Sequence, residues 1–195
     1  MLNRLLLAFF IASAICTQAQ NRFGVFGGLN NSVISDGFLK KTYIDDVFGL
    51  HLGVLYEYRL SEKIAFRPKI MYSQQGDRKK TSNSFIDAND IDYKLDYLNV
   101  PLNFKFFKMP YIIAGPQIGY LLSTEKLSAD YGDVKNKIDY GFNLGVGYDI
   151  NNFFIELNLY QGLSTLVEIE EVFTQSVAVD GKNTVLQLSF GYYFN

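Results

Sequence analysis

The sequence predicts an all-β fold, an eight-stranded antiparallel up-and-down transmembrane β-barrel of the outer-membrane type. Three observations support this: long strands of strictly alternating apolar residues, connections that are alternately short and long, and aromatic residues at the strand ends. The alternation is clearest over residues 138–150, where every even position is apolar and every odd position is small or polar. A period of two gives a strand one apolar and one polar face. About ten residues with one apolar face match a tilted bilayer crossing.

The chain divides into residues 1–20, interpreted as a cleaved secretory signal peptide, and residues 21–195, interpreted as one barrel domain. Arg4 supplies the positive start, an apolar core follows, and Thr17-Gln18-Ala19 resembles a cleavage signal. Lipidation of Cys16 is rejected because Ile15 stands where a lipoprotein needs a small residue. Cys16 is the only cysteine, so the mature chain is expected to lack disulfides and thiolate chemistry.

Charge and hydropathy exclude two broad classes. The formal net charge is −2, whereas a nucleic-acid partner would favour a basic face, so none is expected. The mean hydropathy is +0.03, and no apolar run after residue 20 approaches the length of a membrane-spanning helix. A β-barrel tolerates this modest hydropathy because half of each strand faces the interior.

Eight strands and seven connections follow from the alternation. The strands are predicted at 22–32, 47–60, 64–75, 93–106, 112–122, 138–150, 153–162 and 185–194. Three connections are short and four are long, which is the outer-membrane plan with the short turns and both termini in the periplasm. The apolar phase slips near Tyr97, which predicts a β-bulge. The first and last strands must pair, because an open edge cannot persist in hydrocarbon. The aromatic girdles are assigned to Tyr56, Tyr58, Phe66, Phe106, Tyr111, Tyr148, Phe153 and Tyr192.

The inward faces predict a lumen plugged by charged side chains near the short-turn end. An eight-stranded barrel is only wide enough inside for its own side chains, and charges there must pair. A gate or proton path built from the same pairs is the alternative interpretation. The predicted lumen charge cluster comprises Glu57, Arg59, Arg67, Lys69, Lys105, Asp149 and Glu156.

His51 is the only histidine, so any histidine-dependent catalysis would require it. Ser73 on the neighbouring strand could lie within reach, but no acidic partner is evident at that height. No catalytic residue, cofactor or metal is therefore expected, and the chain is not expected to be an enzyme. Three alternatives stay open: a lipid-modifying enzyme that uses His51, a surface receptor or adhesin acting through its long loops, and a soluble lipocalin-like binding barrel with its apolar face inward.

The last strand carries a predicted insertion signal, an alternating apolar pattern that ends in aromatic residues. Its members are Phe190, Tyr192 and Phe194, displaced by one residue because Asn195 follows. The expected partners are the barrel-assembly machinery, outer-membrane lipid and lipopolysaccharide.

Three segments resemble the PorT-like outer-membrane β-barrel family of Bacteroidetes-type bacteria. They are Tyr97-Leu98-Asn99-Val100-Pro101-Leu102, Ala114-Gly115-Pro116 with Gly119-Tyr120-Leu121-Leu122, and Gly191-Tyr192-Tyr193-Phe194. The resemblance implies the outer membrane of a Gram-negative bacterium. The founding member of that family is associated with protein secretion, which implies an accessory role and a secretion-complex subunit as partner. It supplies no catalytic residues.

Overall fold

The computed structural model describes residues 21–35, 47–78, 92–126, 136–169 and 179–194. Within these ranges the regular elements are strands: β1 (Arg22–Ser35), β2 (Val47–Arg59), β3 (Ile64–Arg78), β4 (Asp92–Phe106), β5 (Tyr111–Lys126), β6 (Ile138–Ile150), β7 (Phe153–Gly162), β8 (Val167–Ile169) and β9 (Val179–Phe194). No helix in the described ranges has the length and hydropathy that a membrane crossing requires. The predicted signal peptide and most of each long loop lie outside the described residues.

The strands close into a barrel of eight antiparallel members. Neighbours in sequence pair from β1 to β7, β7 pairs with β9, and β9 returns to β1. The closing ladder runs from Phe23 opposite Phe194 to Ser35 opposite Lys182. β8 adds only a short ladder to the start of β9. The predicted fold class and the pairing of the first and last strands are confirmed.

The two faces of each strand differ as a membrane barrel requires. In β6, Phe142 and Leu144 point outward with 59% and 58% of their surface exposed, whereas Asn143 between them is only 4% exposed. The exposed apolar residues thus form the outer surface, and the buried polar residues fill the interior. A lipocalin-like barrel requires the opposite arrangement, so that alternative is excluded.

The last strand is longer than predicted. β9 begins at Val179, although its apolar alternation begins only at Val185. Residues 182–184 pair with the end of β1 at 33–35, and residues 179–181 pair with β8. This part of β9 is an extension at the long-loop end, where an apolar outer face is not needed. Residues predicted as loop therefore form strand.

The irregularity predicted near Tyr97 is present. However, it does not explain the slip of the apolar phase in β4 from which it was predicted. The β4–β5 register shifts between Asp96 and Tyr97, and Leu122 of β5 is the residue left without a partner in the ladder. The bulge therefore lies in β5, and β4 keeps its phase. Leu95 and Tyr97 point into the barrel and are completely buried.

The assignment of Tyr111 to the aromatic girdle is wrong. Tyr111 is fully buried in the lumen, because the first residue of β5 belongs to the inward set that continues with Ile113. Tyr56, Tyr148 and Phe153 are between 41% and 46% exposed on the outer surface near the short turns. Aromatic residues at that height suit a membrane–water interface.

Candidate functional site

The short-turn end of the lumen holds a network of ion pairs that begins at Glu57 of β2. Its carboxylate accepts a hydrogen bond from Arg22 Nη2 at 2.6 Å and another from Lys105 Nζ at 3.3 Å. Arg67 Nε lies 3.7 Å away, and the Tyr193 hydroxyl donates at 2.9 Å. Only 3% of the Glu57 side chain is exposed, so its charge is balanced by protein groups rather than by water.

Glu156 of β7 is the deeper centre of the same network. Arg67 Nη1 and Lys69 Nζ each donate to one of its carboxylate oxygens, and the Tyr111 hydroxyl donates at 3.0 Å. Arg67 and Glu156 are both fully buried. The Arg67 guanidinium also lies 4.5 Å from the centre of the Phe154 ring, which favours the cation.

Asp149, at the end of β6, joins the two sides of the lumen. It accepts a hydrogen bond from Lys105 Nζ at 2.6 Å and from Arg22 Nη2 at 3.1 Å. Arg22 and Lys105 therefore each bridge Asp149 and Glu57. A network of this kind holds β1, β2, β4 and β6 at fixed distances across the lumen.

The structure brings together six of the seven residues of the predicted lumen charge cluster. They are Glu57, Arg67, Lys69, Lys105, Asp149 and Glu156. The seventh, Arg59, is the last residue of β2, and its side chain is exposed at the barrel mouth. Sequence reasoning missed three members: Arg22, Tyr111 and Tyr193. Their inward parity within β1, β5 and β9 could have identified them, but the two tyrosines read as apolar residues.

His51 lies further along the lumen and is held at both ring nitrogens. Its Nδ1 is 2.7 Å from Asn30 Oδ1, and its Nε2 is 2.8 Å from Ser189 Oγ. The Asn30 amide nitrogen donates to Ser73 Oγ and to the Gln74 carbonyl, both at 2.9 Å, so Asn30 Oδ1 is the acceptor. The neutral ring therefore carries its proton on Nδ1 and accepts the Ser189 hydroxyl proton at Nε2.

The hydroxyl that contacts His51 thus belongs to Ser189 of β9 and not to Ser73, the candidate from sequence. Ser73 pairs with His51 only through the backbone register. The arrangement of Ser189, His51 and Asn30 resembles a serine–histidine dyad with an orienting amide. However, Ser189 and His51 are each only 3% exposed, and so no substrate can approach Ser189 in this structure.

Buried side chains also fill the long-loop end of the described lumen. Ser164 and Asn183 donate hydrogen bonds to Asp139, and Leu166 and Tyr97 are completely buried. The described part of the lumen is therefore filled at both ends by the protein's own side chains.

Glycines facing the lumen make room for its large side chains. A Cβ atom at position 147 would lie 2.4 Å from the Tyr111 ring, and one at position 191 would lie 2.2 Å from the Phe154 ring. Both distances are far below normal contact, so the rings occupy space that only glycine leaves free. The glycines on the polar faces thus allow a narrow barrel to hold Tyr111 and Phe154 inside.

A cavity of about 360 Å³ opens at the short-turn end, and we name it the mouth cavity. It lies between the three short turns, and its floor is the Glu57–Asp149 side of the ion network. Its cationic lining residues are Arg22, Arg59, Lys63, Lys105 and Lys108, and its carboxylates are Glu57, Glu62 and Asp149.

The residues of the predicted insertion signal lie on the outer surface of β9. Phe190 stacks against Phe153 with ring centres 5.6 Å apart, and Phe194 stacks against Phe23 at 5.9 Å. Tyr192 contacts Phe153 edge-on at 5.0 Å. These contacts link β9 to both neighbours, β7 and β1, at the height of the short turns.

A closed antiparallel barrel with an apolar outer surface and a charged, filled lumen defines the class of outer-membrane β-barrel proteins. The chain belongs to the outer membrane protein beta-barrel domain family, which it matches over residues 18–168. Membership of this family places the protein in the outer membrane of a Gram-negative bacterium.

Several solved outer-membrane proteins have a similar architecture. Ail, the attachment invasion locus protein of Yersinia pestis, is 18% identical, with 91% of this chain and 100% of that chain covered and a TM-score of 0.45. OprG of Pseudomonas aeruginosa is 16% identical, with 91% and 97% covered and a TM-score of 0.48. Outer Membrane Protein W of E. coli is also 16% identical, with 91% and 100% covered and a TM-score of 0.47. No curated protein matches the sequence.

Proposed function

We propose that this protein is a sealed outer-membrane barrel with a structural or interaction role and no enzymatic activity. The filled lumen is the observation behind the proposal. The ion network occupies one end, and the other is occupied by Asp139, which accepts hydrogen bonds from Ser164 and Asn183, together with the buried side chains of Leu166 and Tyr97. A barrel of eight strands leaves no spare width for a conduit beside such side chains. The surfaces left for function are then the two ends and the lipid-facing wall.

The interaction role is proposed to be accessory to protein secretion. Its support is the resemblance of three strand segments to the PorT-like family, together with a lumen that favours a scaffold over a pore. Purification of the tagged protein from native membranes in mild detergent is expected to retain a secretion-complex subunit. If only lipopolysaccharide and barrel-assembly machinery accompany the barrel at all detergent strengths, the accessory role is wrong.

We further propose that the short turns and both termini face the periplasm. Two single-cysteine variants test this, since the mature region contains no other cysteine. Lys63→Cys lies at a short turn, and Glu125→Cys lies at the opposite end with a 59% exposed side chain. A membrane-impermeant maleimide added to intact cells should label Glu125→Cys and not Lys63→Cys. The reverse labelling pattern would contradict this orientation.

The alternative to a non-enzymatic barrel is a lipid-modifying enzyme. It is considered because His51, Ser189 and Asn30 are arranged like a catalytic dyad with an orienting amide. All three side chains are buried, which disfavours an enzyme because a lipid substrate could not reach them. His51→Ala is expected to leave the lipid A and phospholipid profiles of the cell unchanged, as measured by mass spectrometry. Ser189→Ala serves as a matched variant, because it removes the hydroxyl and leaves the imidazole. A shared change of lipid profile in both variants would support the enzyme.

A surface receptor or adhesin would act through the long loops, and residues 36–46, 79–91, 127–135 and 170–178 of those loops lie outside the described structure. Protease treatment of intact cells provides the test. Loss of cell binding after loop cleavage, with the barrel still folded, would favour this rival over the proposed role.

A further inference from the structure

We propose that the mouth cavity binds an acidic segment of a soluble protein. In this arrangement, carboxylates of the segment lie against Lys63 and Lys108, and an apolar side chain of the segment contacts Phe107 and Met109. The inference deepens the interaction role proposed above and rests on it. Three observations support it: the balance of charge, the direction of access, and the exposed apolar residues of one turn.

The balance of charge favours an anionic occupant. The buried ion network contains four cations, Arg22, Arg67, Lys69 and Lys105, against three carboxylates, Glu57, Asp149 and Glu156. Each of these carboxylates already contacts two or more of the cations. The network thus has an excess of one positive charge directly beneath the cavity floor.

The rim of the cavity increases this excess. Lys63 and Lys108 are exposed at the edge, and within the described residues neither forms an ion pair. Glu62 is the only carboxylate of the lining outside the buried network. A cleft lined mostly by one sign of charge raises the local concentration of oppositely charged ligands. The cavity therefore attracts anions from solution.

The direction of access favours a soluble ligand over a lipid headgroup. The cavity floor is formed by Glu57, Lys105 and Asp149, which face the barrel interior and not the lipid-facing wall. A lipid outside the barrel would have to carry its headgroup over the strand ends and turns to reach that floor while its acyl chains stay in the bilayer. A polypeptide that approaches along the barrel axis meets no such obstacle.

The β4–β5 turn supplies exposed apolar residues beside the basic rim. Phe107 is 57% exposed and Met109 is 58% exposed. Phe107 has a φ of 71°, which a bulky side chain rarely adopts, and its N–H donates to the Lys63 carbonyl at 2.7 Å. Strain of this kind is concentrated at functional sites, and aromatic residues and methionine are enriched in interfaces. An apolar side chain on the acidic segment fits this surface.

The test measures binding of a fluorescent acidic peptide, acetyl-Glu-Glu-Phe-Leu-Glu-Glu, to the folded mature barrel in an uncharged maltoside detergent at low salt. Fluorescence anisotropy should show saturable binding that weakens as salt is added. The double variant Lys63→Glu/Lys108→Glu should weaken binding by roughly tenfold or more, because it reverses two charges at the contact. A peptide with lysine in place of glutamate should not bind.

Two further variants separate binding from folding. Phe107→Gly removes the ring but suits the backbone at φ 71°, so it should weaken binding by roughly threefold or more without loss of folded barrel. Lys94→Glu is the matched charge control, because Lys94 is 59% exposed at the opposite end of the barrel. It should bind the peptide like the unchanged protein.

Four outcomes would overturn the proposal: no saturable binding, equal binding by the Lys63→Glu/Lys108→Glu variant, equal weakening by Lys94→Glu, or full competition by phosphatidylglycerol vesicles. The last outcome would identify a lipid surface instead. A barrel that binds the peptide but retains no partner from membranes contradicts the proposed interaction role alone. A partner retained equally by the Lys63→Glu/Lys108→Glu variant contradicts the mouth cavity alone.

Discussion

Glu156 shows how a single buried carboxylate compensates two cations of the lumen. It is completely buried, and both Arg67 and Lys69 direct their charges to its carboxylate. Removal of one partner from a buried ion pair leaves an uncompensated charge, whereas an exposed pair contributes little to stability. The stability of the short-turn end therefore depends on this carboxylate more than on any surface pair.

Glu156→Gln keeps the size of the side chain and removes its negative charge. We expect a loss of about 3–5 kcal/mol in the free energy of unfolding, because Arg67 and Lys69 would share one neutral amide. Urea titration of the barrel folded in lipid vesicles measures this. Glu125→Gln is the control: its exposed pair with Lys94 at 3.3 Å should be worth under about 1 kcal/mol. Equal effects of the two substitutions would contradict the buried network.

Leu144 is a single residue whose substitution tests the lipid-facing surface of the barrel. It is the middle residue of β6, and its side chain is 58% exposed on the outer wall. Leu144→Arg should cost about 2–4 kcal/mol of folding free energy if it lies near the bilayer midplane. Ile150→Arg is the matched control, since it lies on the same face at the strand end with 56% exposure. It should cost about 0–1 kcal/mol.

This comparison is measured by equilibrium folding into vesicles, with heat-modifiable migration on gels as the assay for folded barrel. Because the same charge enters the same strand at two depths, only the surroundings differ. Equal costs at positions 144 and 150 would contradict the membrane placement of β6.

At the scale of the element, β9 combines barrel closure, a lumen contact and the predicted insertion signal. Its end pairs with the start of β1, from Val25 opposite Tyr192 to Phe23 opposite Phe194. Tyr193 between them points inward, where it donates to Glu57 and lies 3.9 Å beneath the Arg22 guanidinium. The outward Tyr192 and Phe194 and the inward Tyr193 thus lie at three consecutive positions of the strand.

Deletion of residues 192–195 should remove the protein from the outer membrane, with degradation in the periplasm. It leaves residues 23–25 of β1 without their β9 partners and deprives Glu57 of one donor. Fractionation of cells followed by immunoblotting measures the loss. A truncated protein that accumulates as folded, heat-modifiable barrel would show that this end of the β1–β9 ladder is dispensable.

A second variant separates the signal from the pairing. Replacement of Phe190, Tyr192 and Phe194 by leucine keeps an apolar outer face and every backbone hydrogen bond. We expect this variant to fold in vesicles in vitro but to assemble poorly in cells. Normal assembly in cells would mean that the aromatic residues are not read as an insertion signal.

At the scale of the whole molecule, the barrel is stabilised from inside by polar contacts and from outside by lipid. Glu57, Glu156 and Asp149 join strands across one end, and Asp139 joins the elements at the other. Phe26, Leu55, Met71 and Phe154 form a buried apolar cluster that adjoins the ion network. Within the described residues, side chains thus fill the lumen.

The sealed lumen predicts that the folded protein does not conduct ions. Insertion into planar lipid bilayers should give no stable conductance steps at moderate voltage, because an eight-stranded interior is filled by its own side chains. Recordings should be made on protein shown to be folded by heat-modifiable migration. Discrete, reproducible conductance steps that depend on protein concentration would support the gate interpretation of the lumen charges.

The sequence by itself determined the class of fold, the number of strands in the barrel and the direction of most side chains. The reason is physical: lipid outside and a narrow polar interior select alternate residues of every strand, so the period of two is visible in each segment alone. The alternation of β6 and the pairing of β1 with β9 were predictable on this basis. The strand ends were less predictable, because the outer face beyond the bilayer need not be apolar. Residues 179–184 were therefore predicted as loop, although they belong to β9.

Only the tertiary structure decided which lumen residues meet. Arg22 and Asp149 are 127 positions apart in sequence, and His51 and Ser189 are 138 apart, yet each pair is in hydrogen-bonding contact. Their meeting depends on the stagger of the strands around the whole ring, which no single segment records. The parity of β5 was enough to place Tyr111 inside the barrel, but only the closed barrel shows that its hydroxyl meets Glu156.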